Sequence, residues 1–182
     1  SFIAKEMKFI KNLLFTFSFV LLSSTHGYTQ QKTTKNNDSK LIGAAKEIMQ
    51  SAKTCALVTI DDKGRPRIRT MDPFSPEEDL TVWLGTNSSS RKVIQIKNDN
   101  RVTLYYADKD DTGYVMIHGI ASIVNDVAEK EEHWKKEWEE FYPNYPKDYL
   151  LIKVSPEWME ILSTSRNILG DSKTWEPQRV TF

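Results

Sequence analysis

The sequence has few of the residues that build disulfide, metal and nucleotide-loop sites. Only one of its 182 residues is a cysteine, Cys55, which excludes an internal disulfide framework, a CxxC pair and a zinc–cysteine cluster. The seven glycines form no phosphate loop of the dinucleotide or triphosphate type, and no two-histidine metal helix is present. We therefore predict no metal site. Cys55 lies in an apolar run and is expected to be a buried small hydrophobe.

An excess of charge of either sign is also missing. Lysine plus arginine and aspartate plus glutamate both number 25, so the formal net charge is zero. Such a chain has no global field that draws it to nucleic acid or to an anionic membrane. We therefore expect no nucleic-acid partner, and any functional positive charge must be local. The length suits one ordinary domain with a sizeable core.

Long apolar runs are absent except near the start of the chain. A basic segment at residues 7–11 precedes an apolar run at residues 13–22, which is too short to span a bilayer. The pattern predicts upstream residues and a signal peptide at 1–28, and hence an exported protein, periplasmic or secreted, with no stable membrane insertion of the mature chain. An uncleaved membrane anchor is the alternative. The polar residues 29–39 are expected to be a disordered linker before one domain at 40–182.

Short strands dominate this domain, and they do not alternate regularly with helices. The predicted strands cover residues 54–60, 66–71, 80–85, 101–107, 114–124, 149–154 and 157–163. Gly64 is expected in a hairpin turn, and Gly119 is expected to permit a bulge in the long fifth strand. This pattern predicts a mainly β fold with helices, a small antiparallel barrel of six to seven strands.

Three helices are predicted beside the strands. The first is capped by Ser39 and carries an apolar stripe; the second is short and ends near residue 98; the third covers residues 127–141. The side chains expected on the core-facing or apolar stripes of the second and third helices are Val93, Ile94, Ile96, Trp134, Trp138 and Phe141. The tail at residues 164–182 is expected to be mostly irregular.

The first turn of the second helix carries two cations, Arg91 and Lys92, directly after the serine-rich turn 86–90. Cations at a helix N-terminus are unfavourable by about 0.3–1 kcal/mol each, because that end already has positive potential. A phosphate would resolve the conflict by accepting from the cations, the free backbone N–H groups and the hydroxyls together. The alternative is a solvated turn whose cations point into water.

A second pair of cations, Arg67 and Arg69, lies on one face of a strand, with Ile68 and Thr70 on the other. Arginine is suited to phosphate because its planar fork can bind two oxygens. The alternative is an outward face that pairs with nearby carboxylates. With the serine-rich turn close in sequence, we favour shared ligation of one phosphate.

The order and spacing of several segments resemble the pyridoxamine 5'-phosphate oxidase-like family, and in particular its general-stress-protein-like members. The segments that carry the resemblance are residues 57–60, 64–71, 83–86, 90–96, 100–104 and 115–121. The resemblance implies an FMN-binding split β-barrel that forms a homodimer, with FMN in a groove at the subunit interface. It covers residues 44–124 well and the C-terminal part loosely.

The resemblance also implies the cofactor-binding residues. Residues 67–70 would line the flavin ring and ribityl chain, and Tyr114 of the partner subunit stands where relatives place a glutamine near the flavin. Trp175 and Arg179 resemble the family's C-terminal aromatic and basic contacts to flavin; the alternative for Trp175 is a simple packing anchor. The full predicted set is Arg67, Ile68, Arg69, Thr70, Thr86, Ser90, Arg91, Lys92, Tyr114, Trp175 and Arg179.

One departure from the family bears on the substrate. Vitamin B6 oxidases hold their substrate with an arginine-x-histidine element near the C-terminus, and this chain has no histidine after His133. The protein is therefore not expected to be that oxidase. We predict an FMN-dependent oxidoreductase with an unidentified small-molecule substrate and name no catalytic acid or base. A non-catalytic flavin- or haem-binding protein, or an F420-dependent reductase, is the alternative.

Overall fold

The computed structural model describes residues 37–182. The predicted signal peptide and most of the predicted linker lie outside the described residues, so export stays a prediction. A first helix, α1, occupies residues 37–52, and a compact unit begins at Leu41. Within the described range no helix is long and apolar enough to cross a membrane.

Seven strands and two further helices follow α1. The strands are β1 (Cys55–Ile60), β2 (Pro66–Met71), β3 (Val82–Asn87), β4 (Arg101–Ala107), β5 (Gly113–Val124), β6 (Tyr149–Ser163) and β7 (Gln178–Thr181). The helices are α2 (Arg91–Asn98) and α3 (Val127–Glu132), and a 3-10 helix covers Lys136–Phe141. The β1–β2 turn contains Gly64 at φ 72°, the left-handed conformation that glycine adopts without cost.

All strand pairs in the sheet are antiparallel, in the order β2-β1-β4-β5-β6-β3, and β7 pairs with β6. The two strands at the ends of this order are β2 and β3, and the segment just after β2 contacts β3. Pro73 forms an isolated bridge with Leu84 of β3, and the N–H of Phe74 donates to the carbonyl of Trp83 at 3.0 Å. The sheet thus curls into a split barrel, which confirms the predicted fold class.

The barrel core follows from strand alternation. Inward residues of β1, β4 and β5, such as Leu57, Leu104 and Ile117, are fully buried, whereas their neighbours along each strand are not. The predicted stripe of α1 joins this core, since Ala45 and Ile48 are fully buried. Cys55 is also buried, and burial raises the pKa of its thiol to about 11. It is therefore the small hydrophobe that the sequence predicts.

The predicted bulge in β5 is confirmed at Gly119. The β5–β6 register shifts between His118 and Gly119, where Gly119 faces Pro156. A Cβ on Gly119 would approach the carbonyl oxygen of Ser155 to 2.3 Å, so only glycine fits. Pro156 lacks an N–H group, and a bulge is where a strand tolerates that loss. Strand β6 therefore runs through Pro156 unbroken, and the prediction of two strands at 149–154 and 157–163 is wrong.

The predicted helix at 127–141 is also wrong as one element. Asp126 caps the N-terminus of α3, where its side chain accepts from the N–H of Glu129 at 3.1 Å, and the helix ends at Glu132, just before its C-cap His133. His133 stacks on Trp83 with ring centroids 4.4 Å apart, and Lys135 donates to Asp72 at 2.6 Å. These contacts hold the chain against the barrel and interrupt the helix.

The aromatic side chains of the interrupted segment separate accordingly. Trp134 and Trp138 join a second apolar cluster around the buried Tyr149, as their predicted stripe requires. Phe141 is 70% exposed, so its predicted place on that stripe is wrong. It lies at the end of the 3-10 helix, whose tighter winding does not continue an α-helical stripe.

Smaller differences concern element ends. Ser39 lies inside α1 and does not cap it, since the helix already includes residue 37. Strand β3 begins at Val82, two residues later than predicted, because Leu80 adopts φ 64° in the preceding turn.

On α2, Val93 is buried but Ile94 is 60% exposed, because successive helical residues turn by about 100° and the short helix buries one face. The tail contributes strand β7, which was not predicted.

Candidate functional site

Strand β2 carries its two arginines on the face that looks toward the barrel interior. Arg69 is opposite Leu57 and Arg67 is opposite Thr59, and both β1 residues are fully buried. Ile68 is 70% exposed and Thr70 is exposed, both on the other face. The predicted separation of the two pairs is confirmed, and the guanidinium of Arg69 contacts Gln95 of α2.

The guanidinium of Arg69 is held by three neutral oxygens. Its Nη1 donates to Thr59 Oγ1 at 2.7 Å and to the carbonyl of Leu57 at 3.2 Å. Its Nη2 donates to Gln95 Oε1 at 3.1 Å, and Thr59 Oγ1 donates to the same oxygen at 2.7 Å. Gln95 lies in the second turn of α2, so these bonds join β1, β2 and α2 at one point.

The turn between β3 and α2 brings a second set of polar groups to the same helix end. Lys92 Nζ donates to Thr86 Oγ1 at 3.0 Å, and the hydroxyls of Thr86 and Ser90 are 3.0 Å apart. Ser90 is the N-cap of α2, yet its side chain makes no capping bond. No acidic residue stands in the first turn of the helix. The N-terminus of α2 therefore carries positive charge with no local compensation.

Arg69 is close enough to three other cations for their charges to act on one another. Burial lowers the pKa of Arg69 first, and the charges of Arg67 and Arg91 lower it further. Burial likewise lowers the pKa of Lys92, and the charge of Arg69 adds to the effect. We call Arg67, Arg69, Arg91 and Lys92 the cationic cluster. For Arg69 and Lys92 these lowered pKa values mean that burial first, and then the neighbouring cations, disfavour the charged form.

Among residues 37–182, one carboxylate at the rim of the cluster supplies counter-charge. Asp61 Oδ2 lies 3.8 Å from Arg67 Nη1, but it is also 2.9 Å from Arg65 Nη2. The side-chain hydrogen bond from Arg65 is the main reason that the pKa of Asp61 is lowered to about 2. Arg69, Arg91 and Lys92 have no acidic partner within residues 37–182.

The remaining predicted site residues, Tyr114, Arg179 and Trp175, form no ion pair with a residue of the described chain. Tyr114 stacks on Tyr105 with ring centroids 5.4 Å apart, and burial, then the charge of Glu160, raises the pKa of its phenol. Arg179 lies 4.0 Å over the ring of Trp158. Neither hydrogen-bonds to the cluster within the described chain, so their predicted flavin contacts stay predictions.

Trp175 also stays a prediction, but its presentation is specific. It is 83% exposed and adopts φ 64° at the end of a short loop that begins at Asp171. Asp171 closes that loop: its carbonyl accepts from the N–H of Trp175 at 2.9 Å, and its carboxylate accepts from the N–H of Thr174 at 2.8 Å. An indole held outward on an ordered loop is available to a group outside this chain.

Sequence reasoning missed Thr59 and Gln95. A signal for Thr59 was present, since a threonine follows Cys55 and Leu57 on the inward face of β1 and must find a polar partner there. Gln95 gave no such signal because a glutamine on a short helix is ordinarily solvated. The described residues contain no group of three or more histidine, cysteine, aspartate or glutamate side chains that could hold a metal ion.

The donor set suits a phosphate monoester. The cluster supplies two arginine forks on β2, two cations at a helix N-terminus and the hydroxyls of Thr86 and Ser90. Cations stripped of part of their water and lacking carboxylates gain most from an anion that accepts several hydrogen bonds at once. An FMN phosphate is such an anion, so the residues present fit that cofactor.

Solved structures of similar shape come from several bacteria. One is a Clostridium acetobutylicum protein related to general stress protein 26 of Bacillus subtilis and described as a member of the pyridoxinephosphate oxidase family. Its sequence is 26% identical to this chain and the TM-score is 0.63; the match covers 79% of this chain and 94% of that one. General stress protein 26 of Bacillus anthracis shares the fold at 24% identity and TM-score 0.62, over 78% of this chain and 98% of that one.

A third structure, a Listeria innocua protein described as a pyridoxamine 5'-phosphate oxidase, shares the fold at 20% identity and TM-score 0.55, over 67% of this chain and 98% of that one. No curated protein matches the chain. The sequence model described as pyridoxamine 5'-phosphate oxidase like matches residues 41–171, which is most of the described chain. The chain therefore belongs to the pyridoxamine 5'-phosphate oxidase-like family.

Proposed function

We propose that this protein binds FMN through the cationic cluster and acts as an FMN-dependent oxidoreductase. The observation that carries the proposal is that Arg69, Arg91 and Lys92 converge without a carboxylate partner among the described residues. A phosphate monoester brings a charge of about −2 and three acceptor oxygens, which is the complement of this site. Family membership supports the same cofactor.

Each residue of the cluster has a distinct part in binding. The forks of Arg67 and Arg69 can each donate two hydrogen bonds to phosphate oxygens, and Arg91 and Lys92 supply charge at the N-terminus of α2. The hydroxyls of Thr86 and Ser90 complete the donor set. When bound, the isoalloxazine ring supplies the electron and hydride chemistry, and the protein orients it. We assign no acid or base to the chain.

The substrate is distinct from that of the vitamin B6 oxidase in this proposal. Residues 134–182 contain no histidine and therefore no counterpart of the arginine-x-histidine element of those enzymes. His133 itself stacks on Trp83 and is hydrogen-bonded to the carbonyl of Glu129 at 3.0 Å, away from the cationic cluster. The proposed substrate is therefore a small molecule whose binding does not require the histidine of the C-terminal element.

We also propose that two copies of the chain pair through the outer face of the sheet. This face is formed by the outward residues of β2, β1, β4 and β5, and apolar side chains dominate it: Ala56, Val58, Ile68, Tyr105, Tyr114 and Met116. Ile68 and Tyr105 are 70% and 42% exposed in the single chain. Ile68 and Thr70 lie on this outer face and alternate along β2 with Arg67 and Arg69, which face the interior, so a partner copy would lie against the strand that carries the flavin site.

A charge at the centre of the outer face is expected to separate the copies. Met116 stands opposite Tyr105 on one side and Glu160 on the other, so Met116→Lys can pair with Glu160 in a single chain but would bury a charge between two copies. We expect Met116→Lys to elute as a monomer and to lose FMN. Asn98→Lys, on the exposed end of α2, is the control and should remain a dimer. A wild type that is monomeric at all concentrations would contradict the pairing.

The visible absorbance spectrum of the purified full chain tests the proposed function. The two broad bands of oxidised flavin are expected, with FMN released on heating and identified by chromatography. Bleaching by NAD(P)H in the absence of oxygen would support turnover, because the cofactor must accept electrons from a donor. A sharp Soret band would indicate that the cofactor is haem and not FMN. Preferential binding of F420 would indicate that the cofactor is this deazaflavin. A colourless protein that also refuses added FMN would overturn the proposal.

A further inference from the structure

The way in which Arg69 is held differs from the way in which Arg166, another half-buried arginine of the described residues, is held. The Arg166 side chain is 28% exposed and is paired with Asp108, the two groups being 2.5 Å apart at Nη1 and Oδ2. Arg69 is half-buried as well, yet its acceptors are the Leu57 carbonyl, a hydroxyl and an amide. All three acceptors are neutral, so Arg69 is oriented without being neutralised.

Two N–H donors of the Arg69 guanidinium remain available in this arrangement. A guanidinium has five N–H groups, two on each Nη and one on Nε. Both hydrogens of Nη1 are used by Leu57 and Thr59, and one hydrogen of Nη2 is used by Gln95. One N–H of Nη2 and the N–H of Nε have no acceptor among residues 37–182. Two free donors on one planar group are what a bidentate contact to a phosphate requires.

Thr59 and Gln95 also fix each other. The Thr59 hydroxyl accepts from Arg69 and donates to Gln95 Oε1, and that oxygen accepts from Arg69 as well. The three groups therefore form a closed triangle of hydrogen bonds. Thr59 is fully buried on β1 and Gln95 is half-buried on α2, so the triangle is anchored on two separate elements. A side chain held from two elements loses little further freedom on binding a ligand.

We infer that Thr59 and Gln95 are positioning residues that aim Arg69 while keeping its charge for an anionic ligand, and that the neutral amide at Gln95 sets the preference for a phosphorylated flavin over riboflavin. This inference rests on the proposed function. Its physical basis is that a carboxylate at position 95 would satisfy the same hydrogen bonds but would neutralise the arginine. The chain has a glutamine there, which positions Arg69 without neutralising it.

Gln95→Glu is the direct test because it gives the side chain at position 95 a negative charge and leaves its shape almost unchanged. We expect the affinity for FMN to fall by about tenfold or more, which is the effect of losing one charge-assisted contact, while riboflavin affinity is unchanged. The ligand-free protein should melt at a higher temperature, since the new carboxylate relieves the repulsion around Arg69. Asn98→Asp places the same charge on the exposed end of α2 and should leave the FMN-to-riboflavin ratio unaltered.

A purely structural role for the triangle predicts a different result. Gln95→Glu would then shift FMN and riboflavin affinities together or shift neither. A second variant pair covers Thr59: Thr59→Val should lower FMN affinity selectively, and Thr59→Ser, which retains the hydroxyl, should restore it. Affinities are measured by titration of the full-length apoprotein at low ionic strength, with melting curves taken without ligand.

The outcomes separate this inference from the proposed function. A wild type that binds FMN no better than riboflavin overturns the phosphate site itself, and the positioning roles fall with it. A wild type that prefers FMN while Gln95→Glu keeps the same preference overturns the positioning inference and leaves the proposed function standing. Selective loss of FMN affinity together with a raised melting temperature supports both.

Discussion

Replacing Arg91 and Lys92 together by alanine is expected to release FMN from the protein while the fold is kept. Each charge-assisted contact to the phosphate contributes roughly 1.5–3 kcal/mol, so the loss of two corresponds to a fall in affinity on the order of a hundredfold or more. Riboflavin has no phosphate, and its binding should be nearly unchanged. Titration of both flavins into the apoprotein, followed by flavin fluorescence, measures the two affinities.

The same double variant is expected to stabilise the ligand-free chain slightly. Two cations in the first turn of α2 oppose the helix dipole, so their removal should gain roughly 0.3–1 kcal/mol each. Binding and stability then move in opposite directions, which is typical of residues retained for a ligand. Lys97→Ala with Lys109→Ala removes the same charge from exposed positions and serves as the control. Wild-type FMN affinity in the Arg91 and Lys92 variant would refute the phosphate site.

Asp108→Ala is expected to cause a large loss of stability without touching the flavin site. Asp108 is 3% exposed, and its Oδ2 accepts from Arg166 Nη1 at 2.5 Å and from Ser163 Oγ at 3.2 Å. Removing one partner of a buried ion pair leaves the other charge uncompensated, at a cost of about 3–5 kcal/mol. Because the Arg166 side chain is 28% exposed and also approaches Glu47 at 3.5 Å, we expect the lower end of that range. Urea unfolding gives the value.

Two further variants make this expectation specific to the ion pair. Asp62→Ala removes the same charge from an exposed turn and should change the free energy of unfolding by no more than about 0.5 kcal/mol. Arg166→Ala should be destabilising as well, and the double variant should cost less than the sum of the two single changes. Strict additivity would show that the two residues do not act as a pair.

The order of elements could be predicted from the sequence because it depends on local patterns. Strand alternation placed Arg67 and Arg69 on one face of β2, and the turn with Gly64 predicted the β1–β2 hairpin. The basic first turn of α2 was visible from Arg91 and Lys92 alone. Both halves of the candidate phosphate site were therefore predicted, since each is defined within a few residues of chain.

Elements whose ends depend on distant contacts were not predicted correctly. The apolar spacing between residues 127 and 141 suggested one helix, but the stacking of His133 on Trp83, fifty residues earlier, interrupts it. Two strands were predicted at 149–154 and 157–163, but β6 is continuous because the bulge at Gly119 on the neighbouring strand accommodates Pro156. In each case a residue far along the chain decided what the local pattern could not.

What the sequence determined by itself is therefore the composition of the site: four cations and two hydroxyls on elements whose periodicity aims them. Only the tertiary structure decided that Arg69 meets Gln95 across 26 residues and that Asp108 meets Arg166 across 58. The reason is that side-chain direction follows from the local period of a strand or helix. A hydrogen bond between elements instead depends on strand register and on how the connecting segments return the chain, neither of which a local pattern contains.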